Sequence, residues 1–89
     1  LVIVTGVEKV ALDYGAPTER AVDRLTASEA QRYLAAGQFP PGSMGPKIEA
    51  AIEFLRDCNR GDARVIICDI EHMADALAGR SGTRIEPDG

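Results

Sequence analysis

Long apolar runs are missing from this sequence. Stretches such as Leu1–Val4 and Val65–Cys68 are the longest it offers, against the roughly 20 residues a membrane-spanning helix needs, so no membrane partner is expected. A charged segment leading into a long apolar one is also missing, which leaves no secretory signal to read. Cysteine is scarce: Cys58 and Cys68 make neither a disulfide framework nor a metal-ligand spacing. They read as reduced thiols in a cytoplasmic protein. With a single histidine, His72, no Ser/His/Asp or Cys/His set can be assembled, and no metal site is expected. His72 itself reads as a surface or half-buried residue. Positive charge is in deficit. Ten Lys and Arg stand against fourteen Asp and Glu, for a net charge of −4 with the signs interspersed. That argues against a nucleic-acid partner, which would need a basic face, and any anion site has to be local.

What is present fits one small globular domain, residues 1–89, with 45% apolar residues and a modest core. The chain opens inside a strand pattern, Leu1-Val2-Ile3-Val4, with no methionine and no polar lead-in, which reads as part of a longer protein. These residues suit a strand buried on both faces. Thr5-Gly6 breaks it, Val7–Leu12 reads as a second strand, and Asp13 to Pro17 as a turn-rich loop. Thr26-Ala27-Ser28-Glu29 is a capping box. It predicts a helix from Ala27 to about Ala36 that stops at Gly37, with Ala30, Tyr33 and Leu34 on its apolar face. Ser43 is placed to cap a second helix, in which Met44, Ile48, Ala51, Ile52 and Leu55 form a stripe at helical spacing. Asn59-Arg60-Gly61 would end it. Arg64–Cys68 predicts another buried strand, Asp69 a cap for a helix from Ile70 to about Ala78, and Gly82–Ile85 a last short strand. The fold class expected is α/β, a layered, mostly parallel sheet flanked by helices. Part of that sheet would be open, or covered by something outside these residues.

The second helix starts with residues that are poor at starting one. Gly42, Ser43, Met44, Gly45 and Pro46 lead to Lys47 in the first turn. A helix N-terminus carries unpaired amides and partial positive charge, glycines let an anion approach the backbone, and a first-turn proline costs little because the N–H it lacks would be unpaired there anyway. Lys47 adds an ammonium to the same place, which together makes a phosphate site. A glycine-rich loop that merely turns the chain, with Lys47 solvated, suits the same letters. The spacing is not that of a Walker A loop. The bend at Thr5, Gly6 and Val7 is a second candidate, because ligands of open α/β sheets bind beyond the carboxyl ends of strands; an ordinary turn is the alternative. Glu49 and Glu53 read as a solvated face. Tyr14 and Phe39 lie in loops, where they would touch a base or cover the core.

Four blocks, Val2 to Val10, Asp13-Tyr14-Gly15, Phe39 to Ala51 and Gly82 to Ile85, together resemble the C-terminal part of carbamate kinase, a member of the amino-acid kinase family. The Gly-Ser-Met-Gly-Pro-Lys block is the most specific of them. The resemblance implies the nucleotide-binding part of an enzyme that exchanges a phosphoryl group between ATP/ADP and carbamate or carbamoyl phosphate, with Mg2+ accompanying the nucleotide. It implies that Thr5, Gly6 and Val7 border the adenosine, that Gly42, Ser43, Met44 and Gly45 approach the phosphates, and that Lys47 is the catalytic lysine holding the transferring group. Such a part would be catalytically incomplete, and would pair with a missing N-terminal half or with another copy as a homo-oligomer. Two positions depart from the family pattern, which has aspartate where this chain has Gly6 and tyrosine where it has Ala11. They favour the alternative of a non-enzymatic, kinase-derived module acting through assembly.

Overall fold

The computed structural model describes residues 1–13, 15–39, 42–58 and 63–88. In chain order the elements are β1 (Val2–Val4), β2 (Ala11–Leu12), β3 (Arg20–Ala21), β4 (Arg24–Thr26), α1 (Ala27–Ala35), α2 (Met44–Asp57), β5 (Val65–Cys68), α3 (Met73–Leu77) and β6 (Thr83–Glu86). Four strands form one sheet in the order β1-β5-β6-β4, and β2 and β3 form a separate antiparallel pair. β1 runs parallel to β5 and β4 parallel to β6, whereas β5 and β6 are antiparallel. The sheet is therefore mixed and mostly parallel, and the α/β class holds.

Alternation along the strands sorts the two faces. Val65, Ile67 and Ile85 are fully buried and join Ile48, Ala51, Ile52 and Leu55 of α2, together with Ala30 of α1, in the core. The predicted stripe of α2 is thus its packing face, and Tyr33 and Leu34 of α1 are partly buried against the same cluster. α1 begins as its sequence dictates. Glu29 N–H donates to Thr26 Oγ1 at 3.1 Å, and Thr26 N–H donates to Glu29 Oε1 at 2.9 Å, so two orphan amides are satisfied reciprocally. Gly37 follows with φ 79°, a left-handed conformation that glycine adopts without a Cβ penalty.

Several expected elements differ. β1 is not buried on both faces: Val2 is 38% and Val4 44% exposed. Among the described residues it lies at the sheet edge, with β5 as its one partner strand. The strand expected over Val7–Leu12 shrinks to Ala11–Leu12. Val10 leaves the ladder because its N–H donates to the buried Thr83 Oγ1 at 2.8 Å, while its carbonyl accepts from Val22 N–H at 2.9 Å. The Thr83 hydroxyl in turn donates to Val22 carbonyl at 2.6 Å, so one side chain ties β6 to two loop segments. β3 and β4 were not expected. They are two and three residues long, too short to show a period of two. The last helix starts at Met73 rather than Ile70, because Asp69 Oδ1 accepts from His72 N–H at 3.1 Å and closes a turn first. Ser43 stands at the N-cap of α2 but makes no capping bond. The helix stop read at Asn59-Arg60-Gly61 lies outside the described residues, as does Tyr14.

Candidate functional site

Thr5 follows directly on β1, and its N–H donates to Cys68 carbonyl at 2.8 Å. This extends the parallel pairing by one residue and fixes the carboxyl end of the strand. Lys47 lies in the first turn of α2. The two are far apart in sequence, yet Lys47 Nζ donates to Thr5 Oγ1 at 2.6 Å. The strand end and the helix start thus meet at one point.

They meet at the wall of a cavity of about 450 Å³ lined by Thr5, Gly6, Val7, Lys9, Ala11, Phe39, Ser43, Met44 and Lys47. That volume falls in the range of sites that take small organic ligands. Six of the residues singled out from the sequence share it: Thr5, Gly6, Val7, Ser43, Met44 and Lys47. Two do not. Gly42 is exposed, with nothing within 4 Å of where a Cβ would lie. Gly45 is buried within the first turn of α2 and is not part of the lining.

The cavity is cationic. Its lining carries two ammonium groups, Lys9 and Lys47, and no carboxylate. The first turn of α2 adds no acid and receives no side-chain cap, so the positive end of the helix faces the site without a built-in anion. Lys9 is held by Asp23 Oδ1 at 2.5 Å, and that hydrogen bond keeps its pKa above the ordinary lysine value. Sequence reading missed Lys9 as a site residue. Residues 6–9 form a bend rather than a strand, so no strand periodicity pointed to it. Phe39 covers the core, being 4% exposed, and it also forms part of the cavity wall. Ala11, at the position where the resemblance leads one to expect a ring, also lines the cavity. At Gly6 nothing lies within 4 Å of an added Cβ, and the backbone is not left-handed, so a side chain has room there.

Among the described residues no three or more His, Cys, Asp or Glu are grouped to hold a metal ion. Among the same residues no helix is long and apolar enough to cross a membrane.

No family model matches the sequence. Individual proteins do. The carbamate kinase-like protein YahI of Escherichia coli is 47% identical over 85 residues, a match covering 96% of this chain and 26% of that protein. The carbamate kinase of Thermoplasma acidophilum is 41% identical over 85 residues, covering 96% of this chain and 27% of the relative. Among solved structures, carbamate kinase from Giardia lamblia bound to AMP-PNP superposes with a TM-score of 0.90 at 39% identity, covering 99% of this chain and 30% of that one. The chain spans about a quarter of the length of the curated relatives it matches. In sequence and in backbone the chain is similar to the C-terminal part of carbamate kinases.

Proposed function

We propose that this chain is the nucleotide-binding part of a carbamate kinase-like phosphotransferase, and that the cavity between Thr5 and Lys47 receives ATP or ADP. The observation that carries this reading is the 2.6 Å contact of Lys47 Nζ with Thr5 Oγ1 at the wall of a cavity whose charged groups are both cations. A phosphoryl group is moved mainly by positioning and by countering its charge. Lys47 supplies that charge, Thr5 holds the ammonium in place, and the uncapped start of α2 adds its dipole. Ser43 and Met44 would lie along the phosphates, and Gly6, Val7 and Phe39 along the adenosine. Mg2+ would arrive with the nucleotide and help to counter the phosphate charge beside Lys47. A nucleotide-bound relative of the same backbone supports the assignment.

The site as described orients one reactant. Bringing a carbamoyl donor into line with the nucleotide demands further groups. These would come from the sequence that the relatives have beyond the matched part, or from another copy of the chain. The alternative, a module that has kept the fold and acts through assembly, is favoured by Gly6 and Ala11. Both leave the cavity without a carboxylate and a ring that the family usually has.

Calorimetry of ADP binding at low salt tests the proposal. Lys47→Ala removes one charge-assisted contact and is expected to weaken binding by about 1–3 kcal/mol. Alanine is the better helix former, so the melting temperature should stay nearly unchanged. The 89 residues alone are expected to bind ADP without turning over carbamoyl phosphate. Undiminished affinity in Lys47→Ala would overturn the site assignment, and absence of any ADP binding would favour the assembly module.

A further inference from the structure

A second cleft, of about 230 Å³, opens on the face of the sheet that α3 covers, beside the turn Gly79 to Gly82. Its charged lining is Lys9, Arg24, Arg80 and Arg84 against the single acid Asp23. We propose that this cleft is an anion site for a small phosphate-bearing group, separate from the cavity at Lys47.

The charge count is the first argument. Glu86 is the shared partner of three guanidiniums: Arg24 at 2.8 Å, Arg64 at 3.5 Å and Arg84 at 3.7 Å. Lys9 pairs with Asp23, and Arg80 with Asp75 at 3.2 Å. Arg64 lies outside the lining, so four cations of the cleft, Lys9, Arg24, Arg80 and Arg84, share three carboxylates, in a chain whose net charge is −4. Glu8, the further acid nearby, is engaged by the Ser81 hydroxyl at 2.8 Å and faces His72. Cation excess concentrated in one cleft of an acidic protein attracts a counter-anion, because concave low-dielectric walls focus the field.

Shape is the second argument. The volume is below the roughly 300 Å³ at which sites for larger organic ligands begin, so a nucleotide is too large and a phosphate or diphosphate group fits. Gly79 and Gly82 have φ 83° and 76°, and a Cβ at Gly79 would come within 2.9 Å of Arg84 Nη2. The glycine turn therefore leaves the Arg84 guanidinium its place at the cleft. Arginine forks bind phosphate oxygens in pairs, and the side chains of Arg24 and Arg80, 69% and 72% exposed, hold their carboxylate partners at the surface, where an anion can compete for them. Lys9 lines both this cleft and the cavity at Lys47, but Arg24, Arg80 and Arg84 line the cleft alone, so the inference does not rest on the nucleotide assignment.

The test is amide chemical-shift mapping of the isotope-labelled protein titrated with inorganic pyrophosphate at low salt. Saturable shifts are expected over Ser81, Gly82 and Arg84, and should fade as salt rises. In the double variant Arg24→Gln/Arg80→Gln the dissociation constant read at these amides should rise about tenfold or more, with ADP affinity at Lys47 unchanged. Arg80→Gln alone, a change at an exposed position, is expected to give a smaller rise in the same direction. Pyrophosphate shifts confined to Thr5 and the start of α2, or equal affinity in parent and both variants, would overturn the proposal. Loss of ADP binding with the cleft still responding would overturn the nucleotide reading and leave this one standing.

Discussion

Lys47 is the residue at which sequence and structure meet most closely. Its unusual surroundings, glycines and a proline at the start of a helix, single it out by composition, although Gly45 proves to be buried in the first turn and outside the cavity lining. Its partner Thr5 is legible as the end of a strand. Their contact is not legible, since nothing local brings together two residues so far apart in the chain; the β1–β5 pairing and the docking of α2 on the sheet do so. Gly6 gives the sharper test of the adenosine's place. There is open space where a side chain would lie, so Gly6→Asp adds an acceptor without a clash. A charged acceptor contributes about 1.5–3 kcal/mol when well placed, and ADP binding measured by calorimetry should tighten by about tenfold. Unchanged binding would put the ribose elsewhere. His72 yields a prediction in pH. The hydrogen bond to Asp69, 2.7 Å from Nδ1, raises its pKa above the ordinary 6.5, and the charges of Asp69, Glu8 and Glu71 act in the same direction against partial loss of hydration. A pKa higher in the folded state means the protonated ring stabilises the fold. That contribution is complete below the unfolded value and is lost as pH rises through the folded one. The melting-temperature difference between the parent and His72→Gln should therefore be larger at about pH 6 than at about pH 8.5. A difference that does not vary with pH would mean that the Asp69 contact carries no linkage.

Elements were legible in proportion to their length. α2, with fourteen residues, and α1, with nine, show their apolar faces through several turns, and the bounds of α1 and the start of α2 were read to within a residue. β3, β4 and α3 have two, three and five residues. No periodicity can declare itself over so few, and their conformation is set by neighbours such as Thr83 and Asp69. Helix starts show a subtler limit. Thr26 and Ser43 are both good cap residues by type, yet only Thr26 makes the bond. Thr26→Ala should therefore cost about 1 kcal/mol in chemical denaturation, and Ser43→Ala less than about 0.5 kcal/mol. Equal losses would show that Ser43 caps in solution after all.

At the scale of the molecule, the open edge of the sheet is the feature least visible beforehand. An apolar strand reads as buried from its letters alone, and β1 was expected to be so. Its position at the edge leaves Val2 and Val4, and beyond them Val7, among the exposed large hydrophobic residues. An uncharged edge strand of this kind pairs with whatever strand it meets. The chain is therefore expected to associate with a second copy, or with a separately supplied partner that completes the sheet. Light scattering at micromolar concentration should show a species larger than a monomer, and Val4→Lys, a charge on the edge, should shift it toward the monomer. A parent that stays monomeric would count against this.

The pairing that creates the edge also governs time. β1 lies against β5, Val2 beside Ile66, so the first strand must wait for nearly the whole described chain before it finds its neighbour. β4 waits likewise for β6. Helices α1 and α2 rest on nearby contacts and can form early, whereas long-range parallel pairing is slow because loop closure comes before any gain. Thr5 reaches Lys47 only after that closure. The cavity is thus among the last things the chain builds, and a ligand that recognises it meets only molecules that have finished folding. Its stabilising effect would appear as slower unfolding, with the rate of folding left as it was.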